Sequence, residues 1–259
     1  MRIATWNVNS LKARMPRVEE WLAYAQPDVL CIQETKLADA NFPAMAFQAL
    51  GYDAVFHGNG QWNGVAILSR VGVEDPVAGF SGETEAEIVE SRFLSATCGG
   101  VRVSSVYVPN GRAVGTEHYD AKLAWLEQLR SHLAEMSDPS DKVVVCGDFN
   151  IAPDDRDVWD PQKAHGATHV SEPERKALAA IKEWGLTDAF RICYDQERLF
   201  SWWDYRAGDF HNGRGMRIDL ILVSQPLADA VQFALIDRNA RKGKLPSDHA
   251  PLFVDLADD

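Results

Sequence analysis

The sequence predicts an α/β (α+β) protein made of two packed β-sheets with helices on their outer faces. Three observations carry that expectation. Ten runs rich in Val, Ile, Leu and aromatic residues recur along the 259 residues, each bounded by Gly, Pro, Asn or Asp. Helical periodicity is confined to a few segments, and strand-like runs often follow one another directly, which suits stacked sheets better than a β–α repeat. No internal repeat, low-complexity tract or Ser/Gly/Pro-rich linker interrupts the chain, so a single domain over 1–259 is expected.

In chain order the strand-like runs are RIATWNV (2–8), DVLCIQ (28–33), DAVFHG (53–58), GVAILS (64–69) and RFLSATC (92–98). VRVSSVYV (101–108), KVVVCGD (142–148), RIDLILVS (217–224), AVQFALI (230–236) and PLFVDL (251–256) complete the set. A helix is expected over 16–25, with Pro16 at its start and Val18, Trp21, Leu22 and Ala25 on one face. A second is expected over 116–136, where Tyr119, Leu123, Leu126, Leu133 and Met136 keep helical spacing. A third is expected over 171–184, where Ser171-Glu172-Pro173-Glu174 reads as a capping box and Leu178, Ile181 and Trp184 pack inward.

A hydrophobic share of 46% with 25% charged residues excludes a disordered, collagenous or coiled-coil chain. The net charge of −12 opposes a simple electrostatic nucleic-acid binder. Charge is unevenly spread, however. Residues 73–90 hold six acids and no base, residues 2–17 hold only bases, and 204–244 hold seven bases against five aspartates, so local fields can be positive. Cys31, Cys98, Cys146 and Cys193 are far apart and read as thiols in a reducing compartment, neither a disulfide frame nor a zinc site. The chain shows no signal-peptide pattern and no apolar run of membrane-spanning length, so a soluble, cytoplasmic protein is expected.

The chemistry gathers at strand ends. Asn7 closes the first run, Glu34 follows the second, Asp148 and Asn150 follow KVVVCG, Asp219 opens LILV, and Asp248-His249 precede the last run. Side chains at strand ends stand on rigid supports at a sheet rim, and several can converge. Oxygen donors predominate, with one His and no Cys, which favours Mg²⁺ or Mn²⁺ over zinc.

TWNVNSLKAR, QPDVLCIQETK, YVPNG, CGDFNIAP, FSWWDYR, GMRIDLILVS and SDHAP together resemble the exonuclease III family of abasic-site endonucleases. That family lies within the endonuclease/exonuclease/phosphatase superfamily shared with deoxyribonuclease I and inositol polyphosphate 5-phosphatases. The resemblance runs from residue 2 to about residue 256. It implies a four-layer sandwich of two mainly antiparallel, mixed sheets flanked by helices. It also implies a DNA-repair hydrolase of base excision repair that cuts 5′ to an abasic site, with 3′→5′ exonuclease and 3′-phosphatase or phosphodiesterase activity.

The resemblance makes Glu34 the main metal ligand with Asn7 beside it, and Asp148, Asn150, Asp248 and His249 complete or adjoin the metal region. Asp148 and His249 are alternative general bases, and Asp219 orients His249. Asn150 donates to phosphorane oxygens, and Tyr107 donates to a phosphate oxygen or assists the leaving group. Trp202, Met216 and Ile218 match the abasic pocket, Met216 standing where leucine or tryptophan is expected. Lys12, Arg14, Arg17, Arg112, Arg206, Arg214 and Arg241 are candidate phosphate contacts. The expected partner is double-stranded DNA with abasic sites or blocked 3′ ends, bound by a monomer and without any membrane. The alternative is a nonspecific nuclease or an inositol or lipid phosphate phosphatase, against which the aromatic motif FSWWDYR stands. An inert DNA-binding scaffold is disfavoured because every matched catalytic position carries a competent side chain.

Overall fold

The structure, a computed structural model, describes residues 1–83 and 90–257. Part of the acidic run over 73–90 therefore lies outside the described residues. The first sheet holds β1 (Arg2–Asn7), β2 (Val29–Gln33), β3 (Asp53–His57), β4 (Val65–Ser69), β11 (Val231–Ile236) and β12 (Leu252–Leu256), in the order β11-β12-β1-β2-β4-β3. The second holds β5 (Glu74–Ala78), β6 (Phe93–Cys98), β7 (Val101–Tyr107), β8 (Val143–Asp148), β9 (Leu186–Asp188) and β10 (Asp219–Ser224), in the order β5-β6-β7-β8-β10-β9. Eight α-helices are described: α1 (Leu11–Ala25), α2 (Ala44–Ala49), α3 (Glu117–Met136), α4 (Pro161–Ala164), α5 (Glu172–Glu183), α6 (Ala189–Cys193), α7 (Asp209–Asn212) and α8 (Gln225–Ala228).

Both faces of each sheet are covered, which is why the strands read as near-continuous apolar runs. Side chains alternate along a strand, so Val29 and Cys31 of β2 and Val144 and Cys146 of β8 enter the core between the sheets. Leu30 and Ile32 turn outward against Trp21 and Leu22 of α1, while Val143 and Val145 turn outward against Leu126, Leu129 and Leu133 of α3 and Leu178 and Ile181 of α5. The result is the expected four layers. Cys31, Cys98 and Cys146 are buried free thiols.

Each sheet contains one parallel pair, β1 with β2 and β7 with β8, and every other pairing is antiparallel. A parallel pair needs a long return connection, and α1 and α3 lie in those two crossovers. This topology brings the C-terminal ends of β1, β2, β7 and β8 to one rim. Asp219 at the start of antiparallel β10 pairs in register with Asp148 at the end of β8, so it joins the same rim.

Two features depart from expectation. β5 and β9 are additional strands. β5 is an exposed edge with a register shift between Glu74 and Val77, where Pro76 removes no pairing that an edge needs, and β9 is only three residues long. Helix α1 begins at Leu11, so Pro16 lies inside it instead of at its start. Tertiary hydrogen bonds hold the added turn: Ser10 N donates to Glu34 O at 2.8 Å and Leu11 N to Thr35 O at 3.0 Å. In α5 the Glu174 carboxylate accepts from Ser171 N at 3.1 Å and Ser171 Oγ at 2.5 Å, tying the helix start together. Among the described residues no helix is long and apolar enough to cross a membrane.

Candidate active site

At the shared rim, Asn7 is fully buried and its amide bridges two carboxylates. Nδ2 donates to Glu34 Oε1 at 2.8 Å and to Asp148 Oδ2 at 2.9 Å, while Oδ1 accepts from Asn9 N at 2.9 Å. Strands from opposite sheets thus meet through one side chain. Asp148 also accepts from Asn150 N at 2.9 Å. Across the register, His249 Nδ1 faces both Asp219 oxygens at 3.1 and 2.9 Å, and its Nε2 lies 3.7 Å from Asp148 Oδ2. Asp219 accepts a further hydrogen bond from Ser201 Oγ at 2.6 Å. The Asp148, Asp219 and His249 ligand atoms lie within 4.8 Å of one another.

Burial opposes charge on His249, but Asp219 and Asp148 outweigh it and push the imidazole up to about 10. Burial raises the Asp148 carboxyl to about 7, with His249 opposing the rise and Asp219 adding to it. Burial and the charges of Glu34 and Asp148 lift the Tyr107 phenol well above its ordinary value, which keeps it a neutral donor. Arg92 stacks over the Tyr107 ring at 4.7 Å from its centroid. Asp248 turns away from His249: its oxygens accept from Asn9 Nδ2 at 3.0 Å and Trp202 Nε1 at 3.1 Å. Burial would raise this carboxyl, but His249, Asn9 and Trp202 together hold it below the usual range.

The donor chemistry fits a hard cation. Glu34, Asp148 and Asp248 are oxygen donors around one rim, and Lys36 already places an ammonium against this set. Its Nζ is 2.8 Å from Glu34 Oε2 and 2.6 Å from Asn9 Oδ1. Backbone strain gathers at the same place. Asn9 (φ 45°), Glu34 (φ 54°), Lys36 (φ 52°) and Asn150 (φ 51°) are all left-handed, a conformation that costs non-glycine residues about 1–3 kcal/mol each.

A model of the "Endonuclease/Exonuclease/phosphatase family" matches residues 4–249, a span that contains this whole cluster. The chain belongs to that family. "Exodeoxyribonuclease III" of Haemophilus influenzae is 33% identical, the match covering 99% of this chain and 100% of that one, which places the chain in the exonuclease III branch. Among solved structures, "3' phosphatase NExo" from Neisseria bound to product DNA hairpin superposes with a TM-score of 0.95 at 39% identity, over 100% of both chains. "AP Endonuclease from Archaeoglobus fulgidus" does so with a TM-score of 0.95 at 38% identity, also over 100% of both.

Within this family architecture, Asn7, Glu34, Tyr107, Asp148, Asn150, Asp219, Asp248 and His249 all stand at one rim. Trp202 and Met216 pair through two backbone hydrogen bonds at 2.9 and 3.0 Å and pack with Ile218 and Val158. Ile218, however, is only 2% exposed, so it belongs to the floor of that cluster. The basic residues divide. Lys12 and Arg112 are exposed, and Arg14 donates to Asn9 O and Tyr205 OH, each at 2.8 Å. Arg206 and Arg214 are paired with Asp204 and Asp209. Arg17 donates to Glu20 and to the carbonyls of Ala240 and Lys242.

Arg241 corrects the sequence expectation: it is 6% exposed, donates to Ser247 O and packs on the rings of Phe210, Tyr205 and Trp203, so it braces the loop before Asp248 and does not reach for phosphate. Residues missed from sequence include Asn9, Lys36, Ser201 and Ser247. All four lie inside the quoted motifs, beside residues singled out. Ser247 Oγ donates to Asn7 O at 2.7 Å, a contact spanning almost the whole chain that spacing could not reveal.

Proposed function

We propose that this chain is a divalent-cation-dependent DNA-repair hydrolase that cleaves phosphodiesters 5′ to abasic sites and clears nucleotides and phosphate from 3′ ends. One observation carries the reading: the Asn7 amide joins Glu34 and Asp148 beside an Asp219–His249 pair, all on strand ends. Glu34, with Asn7 and Asp248 nearby, would hold Mg²⁺ or Mn²⁺. When bound, the ion neutralises phosphate charge.

His249, its Nδ1 against Asp219 and its Nε2 3.7 Å from Asp148, adjoins the metal region and is placed to donate to phosphate. Asp148, whose carboxyl burial raises and which accepts from Asn7 Nδ2 and Asn150 N, serves as the general base for the attacking water, with His249 3.7 Å away as the alternative. Asn150 Nδ2 donates to Val108 O at 3.0 Å and, at a longer 3.4 Å, to Asp148 Oδ2, an N–H that a phosphate oxygen can take over. Tyr107 supplies a neutral phenol for a phosphate oxygen or the departing alkoxide. The exposed Lys12 and Arg112, with Arg14, are the backbone contacts for double-stranded DNA. A second reading is restricted to 3′ ends. Trp202 and Met216 pack against the buried Ile218, and an abasic sugar needs room at this cluster that a 3′ phosphate does not.

The test is a gel assay with a duplex carrying one abasic analogue, a nicked duplex with a 3′ phosphate, undamaged duplex and an inositol polyphosphate, each with and without chelator. Chelator-sensitive cleavage of the first two is expected. Cleavage of the 3′ phosphate alone selects the second reading, and turnover of the inositol phosphate alone rejects both.

A further inference from the structure

Asn150 stands just past the end of β8 on left-handed backbone, so regular strand pairing does not hold it. Its carbonyl is anchored from inside the fold. The Lys122 ammonium, on α3 and fully buried, donates to Asn150 O at 2.7 Å and to Asn110 O at 3.3 Å. His169 Nδ1 meets the same Asn150 oxygen at 2.5 Å, which requires that this ring nitrogen carry the proton. The two asparagines also meet directly, Asn110 Nδ2 donating to Asn150 Oδ1 at 3.2 Å.

The charge on Lys122 is answered by Glu174 of α5 at 2.5 Å. Glu174 accepts in addition from Thr168 Oγ1 at 3.1 Å, His169 N at 3.0 Å, and the Ser171 N–H and hydroxyl. The loop after β7 closes directly over the lysine stem: a Cβ on Gly111 would lie 2.9 Å from Lys122 Cδ.

A fully buried ion pair is a weak way to stabilise a helix–helix contact, since well-packed apolar side chains of similar volume serve as well or better. This pair does something apolar side chains could not. It supplies a donor to two carbonyls in two separate loops, each bearing an asparagine at the rim. We propose that Lys122 is a positioning residue: it holds the Asn110 and Asn150 carbonyls and so aims the Asn150 amide at the scissile phosphate. It touches no substrate itself. The inference rests on the hydrolase reading above and adds a residue to it.

The test compares wild type with Lys122→Met and with Lys122→Met/Glu174→Gln, so that a fold lost to an unpaired Glu174 charge in the first is kept in the second. In the double variant kcat should fall about 10–100-fold, as for lost support behind an active group, with KM for DNA within about threefold. Amide hydrogen exchange should accelerate about tenfold or more in 108–112 and 149–152 and stay unchanged in the centres of β7 and β8. Wild-type kcat in a folded variant overturns the proposal, as does unchanged exchange in both loops or acceleration spread evenly over the sheet. A wild-type chain that cleaves no DNA substrate refutes the hydrolase reading instead, and the exchange pattern still decides whether Lys122 holds the two asparagines.

Discussion

Replacing Asp219 by Asn tests the electrostatic core of the site. Asp219 is fully buried, and both its oxygens face His249 Nδ1, at 3.1 and 2.9 Å. Asn keeps the size and can still accept from Ser201 Oγ, which itself receives Ile218 N and Asp219 N at 3.1 Å each, so the strand start should hold. What is lost is the charge that outweighs burial at His249. The imidazole is raised from 6.5 to about 10, so its stabilisation is complete below pH 6.5 and disappears as pH rises through 10. At about 1.4 kcal/mol per pH unit the upper limit is about 5 kcal/mol, shared between Asp219 and Asp148. In the variant the imidazole should become neutral at physiological pH, and the Asn amide can force the wrong tautomer. A fall in kcat of about 10²–10⁴-fold is expected on the 3′-phosphate and abasic duplexes, with the alkaline limb of the pH–rate profile displaced at least one unit downward. Single-turnover cleavage from pH 6 to 10.5, beside thermal melts to verify folding, measures both. A folded variant with kcat within threefold of wild type and an unmoved alkaline limb would refute the reasoning.

Glu34→Gln should lower kcat by more than about 10³-fold and abolish the Mg²⁺ binding heat seen by titration calorimetry, while the melting temperature moves little because Gln keeps an oxygen to accept from Asn7 Nδ2. Asn150→Ala should cost about 10²–10³-fold in kcat with little change in KM, read by the same gel assay. Chelation should stop hydrolysis and Mn²⁺ should restore it, whereas zinc should not, given a donor set without thiols. Acid should destabilise the fold through His132. Burial, then Arg102, pushes its imidazole down to about 4, and its Nδ1 must stay unprotonated to accept Ser81 N at 2.8 Å. This contribution is present above pH 6.5 and is lost as pH falls toward 4, at most about 3 kcal/mol in total. Urea melts at pH 7 and 4.5 should therefore show a smaller acid loss in His132→Gln than in wild type.

Ten strands and the long helices α3 and α5 were legible because their residues face cores on fixed periods. Val143 to Cys146 alternate between two buried faces, and Leu126, Leu129 and Leu133 form a stripe. β5 was not, since an edge strand with Pro76 and two acids needs only one neighbour and little apolar surface. The first turn of α1 was hidden for a related reason: its amides are held by carbonyls of the Glu34 loop, more than twenty residues away. Arg241 reads as a surface base in a basic stretch, and only packing on Phe210, Tyr205 and Trp203 reveals it as buried.

The chain's order of residues determined which side chains would stand at strand ends and that oxygen, not sulfur, would dominate there. Those are local properties, written by strand period and residue type. Tertiary structure alone decided that Asn7 joins Glu34 to Asp148, that Ser247 ties to Asn7, and that Lys122 reaches Asn150 from behind. Each of these depends on which rims two packed sheets bring together and on charges summed across a buried space, and neither is encoded by neighbours along the chain.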